Sequence, residues 1–528
     1  MYDRFTTTES SRFITQYTGF DGLKRYNFPS TLLAVLLFTL LGFAVMGYHP
    51  GAEDDGVYLA AVKADLNPTL FPHDADFFRL QLQATQFDGW MAGFVRATGI
   101  SVAWAELTWH LISLFLILWA CSRIARTLFD EQRAQWAAVA LVAAMFTLPV
   151  AGTALTLVDQ YLHPRALATA FVLIAVARIL ADRRWQAIPL LIFAFIIHPI
   201  MAAMGASFCF FLTLTTSEPL QAWLDGQRKF ARSNAPKIGV AVTSSLASAV
   251  PLSWIFDPPN PSWSKALDAK DYLHLSRWAW YEWLGALAPI LLFWLLWRMA
   301  LQRKEKTVAR FSLAVVLYGL FQFAVAVVLQ STPALIRMVP MQPMRFLHLI
   351  YFFLVLTGGG LLGKHVLKSA VWRWAVFLLV ANGSMLYAQQ QLFSGSPHLE
   401  FPGQPTGNPW LQAFDWIRQN TPINAYFAIG ADYMGAPGED YHSFRALAER
   451  SELADANKDA AVVGQVPQLA PAWERQVAAQ QSWQSFKLAD FERVKADFGV
   501  DWVLVNYPQP VGLACEWHDS SLAVCRVP

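Results

Sequence analysis

The chain has 528 residues, of which 55% are hydrophobic, 14% aromatic and only 15% charged, and its formal net charge is +2. With a mean hydropathy of +0.33, this composition excludes an ordinary soluble protein and indicates one that crosses a bilayer several times. The charge gives no reason to expect a nucleic-acid partner, and four cysteines are too few for a disulfide-rich scaffold.

Apolar runs long enough to cross a bilayer recur between residues 31 and 390. A bilayer core takes about 20 apolar residues per helix, and fewer where the helix is short or broken. We therefore predict eleven spans, at 31–48, 101–120, 134–150, 163–181, 186–198, 199–216, 238–256, 280–299, 309–330, 346–363 and 373–390. The fifth and sixth runs meet at His198, before a proline, and form either two short helices or one kinked helix.

Lysine and arginine predict the orientation of these spans, because cytoplasmic loops carry an excess of both. Basic residues precede the first span and follow the second, fourth, sixth, eighth and tenth, namely Arg4, Arg12, Lys24, Arg25, Arg123, Arg126, Arg133, Arg183, Arg184, Arg228, Lys229, Arg232, Lys237, Arg298, Arg303, Lys304, Lys306, Lys364, Lys368 and Arg373. All of these segments fall on one side if the fifth and sixth runs count as a pair. The prediction is a cytoplasmic N-terminus at 1–30, a membrane domain at 31–390 with a first outer loop at 49–100, and an extracytoplasmic tail at 391–528.

The tail has the composition of a soluble domain. The stretch PWLQAFDWIRQN predicts an amphipathic helix, DWVLVNY a strand, and LACEWHDSSLAVCRV a hairpin. Cys515 and Cys525 stand on the two arms of this hairpin, where they form a disulfide in an oxidising compartment or remain free thiols. Because about 130 residues suffice for a small core, we predict a separate α/β domain.

Three adjacent carboxylates, Glu53, Asp54 and Asp55, follow the first span and precede a predicted helix. One interpretation is that they complement the positive end of that helix. However, they repel one another and point about 100° apart on a helix, so at least one is expected to face elsewhere. Later in the same loop, His73 and Asp74 return the chain to the bilayer surface, before a stretch that suits an interfacial helix.

The other segments predicted to face outward supply cations and further polar groups. The candidates for substrate binding, together with Glu53, His73 and Asp74, are Asp159, His163, Arg165, His198, Arg277, Arg337 and Arg345. Ordinary helix capping is an alternative role for His163, and a hinge role is an alternative for His198. Arginines on the outer side run against the positive-inside trend and predict an anionic partner, which is a protein carboxylate, a lipid headgroup or a bound phosphate.

Sugar transfer from a polyprenyl-phosphate donor needs such a set of groups. Phosphate is already a good leaving group, so one carboxylate suffices to take the proton from the acceptor hydroxyl. Cationic side chains or a divalent metal then stabilise the charge of the departing phosphate. Glycoside hydrolysis differs, since it uses two carboxylates that flank the bond.

The order of these features resembles the membrane glycosyltransferases of the GT-C superfamily. The resemblance rests on the EDD motif at 53–55 directly after the first span, on amphipathic helices in the same loop, and on an exported domain after the spans. The motifs HPR at 163–165 and QPMR at 342–345 also look like motifs of uncharacterised bacterial membrane proteins of this type. The resemblance covers nearly the whole chain and implies a GT-C-like polytopic α-helical membrane protein with a C-terminal exported small α/β domain.

The same resemblance implies a function and a set of roles. It implies an inverting transfer from a polyprenyl-phosphate-linked sugar to a hydroxyl of a lipid or glycan acceptor, at the periplasmic face of a bacterial inner membrane. Asp54 or Asp55 would be the catalytic base, and the other would orient it or bind a divalent metal, Mg²⁺ or Mn²⁺. No WWD-type acceptor motif occurs in the tail, which argues against N-glycosylation.

Two other classes of function remain open at this point. A solute transporter or lipid flippase would predict internal repeats and ionisable groups at mid-membrane, whereas no repeat is evident and only His198 lies deep in a predicted span. A non-catalytic component of envelope polysaccharide assembly would use the carboxylates only to cap a helix.

Overall fold

In hydrocarbon every backbone polar group must be satisfied within its own segment, so the apolar runs fold as helices. The computed structural model describes residues 28–83, 85–217, 260–436 and 438–528. Up to residue 392 its helices are α1 (Phe28–Met46), α2 (Asp55–Leu66), α3 (Asp76–Leu82), α4 (Phe87–Thr98), α5 (Val102–Leu128), α6 (Gln132–Ala144), α7 (Pro164–Leu180), α8 (Ala187–Ile197), α9 (Pro199–Thr216), α10 (Pro261–Asp268), α11 (Trp280–Gln302), α12 (Lys306–Ser331), α13 (Leu347–Leu362) and α14 (Val371–Leu392). A two-stranded hairpin, β1 (Pro149–Val150) and β2 (Leu155–Thr156), joins α6 to α7.

Seven helices of the described part are long and apolar enough to cross a membrane, namely α1, α5, α9, α11, α12, α13 with its flanking turns, and α14. The predicted polytopic helical fold is thereby confirmed. Helices α6, α7 and α8 also lie at predicted spans but have 13, 17 and 11 residues. At about 1.5 Å per residue, α8 covers roughly half of a bilayer core. The predicted span at 238–256, and the basic residues before it, lie outside the described residues.

The fifth and sixth predicted runs form two separate helices, α8 and α9. His198 lies between them in extended backbone, with φ −153° and ψ 91°, and Pro199 begins the next helix. Nδ1 of His198 accepts the backbone N–H of Met201 at 3.4 Å. A proline disfavours helical geometry in the residue before it, which explains why the chain breaks here.

The two ends of the helical bundle carry different groups. At one end lies a small cavity of about 290 Å³, which is lined by Arg303, Lys306 and Lys364 among others. These basic residues follow the eighth and tenth predicted spans. Lys364 forms an ion pair with Glu305 at 3.0 Å. The segments predicted to face outward meet around a different and larger cavity, described below, which includes the hairpin between α6 and α7 and the junction of α8 with α9.

The residues after α14 fold as the predicted small α/β domain. Its elements are α15 (Pro409–Asn420), β3 (Tyr426–Ala428), α16 (Phe444–Ala448), β4 (Ser451–Glu452), α17 (Lys458–Gln465), α18 (Ala470–Ala479), α19 (Leu488–Phe498), β5 (Trp502–Asn506), β6 (Ala514–His518) and β7 (Leu522–Arg526). The five strands have the order β4-β3-β5-β7-β6. Strand β3 is parallel to β4 and β5, and β7 is antiparallel to β5 and β6. Cys515 and Cys525 pair across β6 and β7 and form a disulfide.

The segment between α1 and α2 is held against this domain by backbone hydrogen bonds on both sides. Tyr48 exchanges two bonds with the segment before α15, because its N–H donates to the carbonyl of His398 and its carbonyl accepts from Glu400. Further on, Ser443 donates to the carbonyl of Gly51 at 2.7 Å, and Glu53 donates to the carbonyl of Tyr441 at 2.8 Å. The C-terminal domain therefore fixes the backbone of the acidic motif.

A buried charge cluster makes the second connection between the first loop and the domain. Arg445 at the start of α16 donates from Nε to Asp74 at 2.5 Å and from both terminal nitrogens to Asp459 at 2.8 Å. Asp74 also accepts the backbone N–H of Glu452 at 3.1 Å. All of these side chains are buried, so each charge depends on its partners to offset the cost of removing it from water.

Candidate active site

A cavity of about 1090 Å³ lies where the bundle, the first loop and the C-terminal domain meet. Its charged lining residues, which come from five separate segments, are Glu53, Asp54, Asp159, Arg165, Lys270, Asp271, Arg277, Glu282, Arg345 and Lys458. His163 and His198 also line it. Residues far apart in the sequence are therefore brought to one space at one end of the bundle.

Asp54 faces this cavity. Its backbone precedes α2, but within the described residues its side chain makes no capping hydrogen bond to that helix. Instead, Oδ2 lies 3.2 Å from Nε2 of His163, and Oδ1 lies 3.0 Å from Nζ of Lys458. Helix capping therefore does not account for Asp54, which is 32% exposed to the cavity.

The tautomer of His163 follows from its second hydrogen bond. Nδ1 accepts the backbone N–H of Arg165 at 2.9 Å, so the ring proton lies on Nε2 and is donated to Asp54. The expected capping role of His163 at the start of α7 is thus real, and the same geometry aims its other nitrogen at the carboxylate. The backbone N–H of Asp54 donates to the hydroxyl of Tyr161 at 3.2 Å.

Lys458, at the start of α17, bridges Glu53 and Asp54 through its ammonium group. Burial acts to raise the pKa of Asp54, but the charge of Lys458 and the hydrogen bond from His163 outweigh it, so the pKa lies well below its usual range. Asp54 is therefore ionised at neutral pH.

Glu53 has a left-handed backbone with φ 53°, a conformation that costs a non-glycine residue about 1–3 kcal/mol and is held here by its hydrogen bond to Tyr441.

Asp55 points away from the cavity. Its side chain is 1% exposed and accepts the backbone N–H of Gly51 at 2.8 Å through Oδ2. Burial and the nearby charge of Glu106 raise the pKa of Asp55 well above its usual range. Neighbouring residues of a helix point about 100° apart, and here that rotation separates the two candidate bases.

This arrangement does not fit the expectation that Asp54 and Asp55 hold one Mg²⁺ or Mn²⁺. The two carboxylates face different surroundings, and the oxygens of Asp54 already contact the ammonium group of Lys458 and the N–H of His163. Lys458 lies between Glu53 and Asp54 and contacts both carboxylates. The positive charge at this motif is thus supplied by the protein.

Arg165 is buried beside Asp159 and forms an ion pair with it at 2.6 Å. This pair uses only one of the guanidinium nitrogens. Within the described residues, Nε and Nη1 of Arg165, Nε of Arg345 and Oδ2 of Asp159 have no hydrogen-bond partner. Unpaired buried donors cost free energy, so these N–H groups would gain from an acceptor that reaches them.

Lys270 and Arg345 differ from the other cations of the cavity, because neither forms an ion pair with a carboxylate among the described residues. Lys270 is buried and donates to the amide oxygen of Asn457 at 2.6 Å. Burial lowers the pKa of Lys270 to about 8; the charge of Asp455 opposes this shift, and that of Lys458 adds to it. The cavity therefore holds two cations whose charge is not balanced by a direct protein partner.

Of the other residues that we predicted to bind substrate, some line the cavity and some lie elsewhere. His198 lines the cavity, with its ring 6.0 Å from that of His163. Arg277 lies at the cavity too but is committed to Asp268 and Asp271, at 3.0 and 3.1 Å. His73, Asp74 and Arg337 are not among the described residues that line it.

His73 and Asp74 instead join the first loop to the C-terminal domain. The His73 ring stacks on Tyr426 with centroids 4.5 Å apart, and Asp74 belongs to the Arg445 cluster. The structure thus gives Asp74 a buried structural partner where we expected a substrate contact. The reason is that the chain between α2 and α3 packs on the domain and not on the cavity.

Several lining residues were not among the sequence candidates. Lys458 and Asn457 come from the C-terminal domain, and no local pattern links that segment to the EDD motif. Two tyrosines could have been suspected from their positions in the sequence. Tyr58 follows the EDD motif by one helical turn, and Tyr272 lies between α10 and α11. Both line the cavity.

Comparisons with known proteins found similarity to solved structures. No family model and no curated protein matches the sequence. The fold is similar to the crystal structure of an oligosaccharyltransferase from Archaeoglobus fulgidus in complex with Zn and sulfate, with a TM-score of 0.44 and 13% sequence identity, over 90% of this chain and 68% of that one.

Proposed function

We propose that this protein transfers a sugar from a polyprenyl-phosphate donor to an acceptor hydroxyl in the cavity beneath its C-terminal domain, with inversion at the sugar carbon. The observation that carries the proposal is the meeting of one ionised carboxylate, Asp54, with two cations that have no carboxylate partner, Lys270 and Arg345, in one large cavity. The carboxylate suits a hydroxyl, and the cations suit a phosphate.

Asp54 is assigned the role of base. It would accept the proton of the acceptor hydroxyl as the bond between the sugar carbon and the phosphate oxygen breaks. A low pKa makes it a weak base in the ground state, but positive charge that develops on the sugar in the transition state acidifies the attacking hydroxyl. The N–H of His163 holds the second oxygen of Asp54 and so fixes the orientation of the carboxylate.

We assign the binding of the phosphate to Arg345 and Lys270, and the buried charge of Arg165 lies at the same cavity. Charge-assisted hydrogen bonds from guanidinium and ammonium groups are about twice as strong as neutral ones. They gain further strength as the departing phosphate acquires charge in the transition state. This set therefore supplies what a phosphate leaving group requires.

The walls of the cavity suit the other parts of such a donor. Tyr58, Tyr161 and Tyr272 offer ring faces and hydroxyls to a sugar. Exposed apolar side chains also contribute to the lining, with Tyr281 61%, Met341 50% and Leu392 46% exposed. Since Tyr281 and Leu392 belong to membrane-capable helices, this side of the cavity would admit a lipid chain.

The proposal places the cavity on the extracytoplasmic face. The disulfide between Cys515 and Cys525 is a bond that oxidising compartments maintain, and the basic residues gather at the opposite end of the bundle, as expected for cytoplasmic loops. A carrier of lipid-linked phosphates would use the same cations, whereas transfer also needs a base for the acceptor hydroxyl, which Asp54 supplies.

Substitution of Arg345 by alanine is expected to weaken the binding of polyprenyl phosphate by about 10–100-fold, because a hydrogen bond to a charged group contributes about 1.5–3 kcal/mol. Titration of the purified protein in detergent measures this, with Arg303→Ala at the opposite cavity as the matched control. Equal affinities of wild type and Arg345→Ala would remove this residue from the site.

Lys270 predicts a pH dependence of the same binding. Since its pKa is lowered to about 8, the ammonium charge is present at pH 7 and mostly lost at pH 9, whereas a phosphate monoester, with a second pKa near 6, keeps its charge over this range. Polyprenyl phosphate should bind about tenfold more weakly at pH 9 than at pH 7. Lys270→Arg, which stays charged, should remove most of this loss, and an unchanged pH profile in that variant would exclude Lys270 as its cause.

A further inference from the structure

A second cluster of titratable groups lies outside the cavity, between α1 and the C-terminal domain. Nδ1 of His49 lies 2.7 Å from Oε1 of Glu400, and Nε2 of His442 lies 3.1 Å from Oε2 of the same carboxylate. Both imidazoles are fully buried, and the Glu400 side chain is 12% exposed. One ligand atom from each residue lies within 4.8 Å of those of the other two.

His442 has a carboxylate near each ring nitrogen, because Oε1 of Glu439 lies 3.8 Å from its Nδ1. Its Nε2 faces Glu400, and its Nδ1 faces Glu439. Within the described residues, Nδ1 of His442, Nε2 of His49 and Oε2 of Glu439 have no hydrogen-bond partner.

A cation at the centre of the cluster would account for this placement of the two carboxylates around His442. With Nε2 of His442 bound to a metal, the proton lies on Nδ1 and points to Glu439, which is the arrangement of a metal-bound histidine oriented by a neighbouring carboxylate. His49 would bind through Nδ1, and its ring is already held in place by stacking on Phe393, with centroids 3.7 Å apart.

We infer that His49, Glu400 and His442 form a binding site for a divalent transition-metal ion, of which Zn²⁺ is the simplest. Zinc takes histidine nitrogen and carboxylate oxygen at about 2.1 Å in tetrahedral geometry, which places ligand atoms about 3.4 Å apart. The ligand atoms of the cluster lie within 4.8 Å of one another, so small side-chain movements would bring them to this spacing, and water would supply the fourth ligand. Mg²⁺ prefers oxygen ligands only, so a site with two imidazoles selects against it.

The three ligands come from three separate segments. His49 follows α1, Glu400 lies between α14 and α15, and His442 precedes α16. A metal ion here would tie the end of the first membrane helix to the C-terminal domain, four residues before Glu53. Loss of the ion should therefore lower the stability of the junction.

The test uses the full chain, purified in detergent without a histidine tag. After removal of metal with a chelator and dialysis, Zn²⁺ alone should bind at about one equivalent and raise the thermal midpoint by about 2–4 °C at saturation, whereas Mg²⁺ should do neither. Glu400→Gln keeps the shape and an acceptor oxygen of the carboxylate and should lose the zinc and the thermal shift, as should His442→Ala.

His398→Ala is the matched control. Its ring lies 6.4 Å from that of His49, but its Nε2 is paired with the carbonyl of Ala44 at 2.8 Å, so this variant should keep zinc binding. The inference is overturned if wild type binds no zinc equivalent, or if Glu400→Gln and wild type bind zinc and respond to it equally. If a variant fails to fold, the zinc titration of the wild-type protein still tests the inference.

Discussion

Asp54→Asn is expected to lower the rate of sugar transfer by about 10²–10⁴-fold, the range for loss of a positioned general base. The amide keeps the size of the side chain but cannot take the proton of the acceptor hydroxyl. Release of polyprenyl phosphate from a panel of polyprenyl-phosphate sugars, by membranes that contain the protein, measures the rate. The variant should insert and fold as wild type does, because Asp54 lies in the cavity and outside the packed core.

Asp55→Asn is the matched control for this experiment. The buried Asp55 has a raised pKa, so an amide resembles its protonated form and can still accept the N–H of Gly51. We expect a rate within about threefold of wild type, in line with the small effect of exchanging one neutral acceptor for another. Wild-type activity in Asp54→Asn, or loss of activity in Asp55→Asn alone, would contradict the assignment of the base. Full activity in both variants would favour a non-catalytic role.

Arg445→Met is expected to destabilise the protein by about 3–5 kcal/mol, the cost of removing one partner of a buried ion pair. The reason is that Asp74 and Asp459 lose their guanidinium partner and remain buried. Thermal unfolding in detergent measures the change. Because Asp74 belongs to the first loop, the variant should also loosen the contact between that loop and the C-terminal domain, visible as faster proteolysis of the loop.

Arg526→Met provides the comparison on the surface. Arg526 pairs with Glu516 on the terminal hairpin, and the two side chains are 59% and 42% exposed, so this ion pair contributes at most about 1 kcal/mol. Equal thermal midpoints for the two arginine variants would show that the Arg445 cluster is not a stabilising junction.

Much of the architecture is a local property of the sequence. Within the described residues the apolar runs fold as helices at the predicted places, and the helix, strand and hairpin of the tail are present, because hydrophobic length and periodicity act over 10–20 residues. The meeting of the segments predicted to face outward also follows from local data, since helices that cross in alternation bring every second connection to the same end. His163, Arg165 and Arg345 were found on this basis.

The finer features of the site depend on contacts between distant residues. Lys458 reaches Asp54 across 404 positions of sequence, and no periodicity carries that information. We assigned Asp74 to substrate binding because its loop was predicted to return to the bilayer surface. In the structure it forms an ion pair with the buried Arg445 of the C-terminal domain. The zinc ligands come from three segments that no motif connects.

The sequence by itself determined that this chain is a polytopic helical membrane protein with a small α/β domain and an acidic motif after its first span, because burial in hydrocarbon imposes length and composition on each segment separately. Only the tertiary structure decided which carboxylate faces the cavity and which cations meet it. A rotation of about 100° separates Asp54 from Asp55, and the packing of the C-terminal domain on residues 48–53 fixes that rotation.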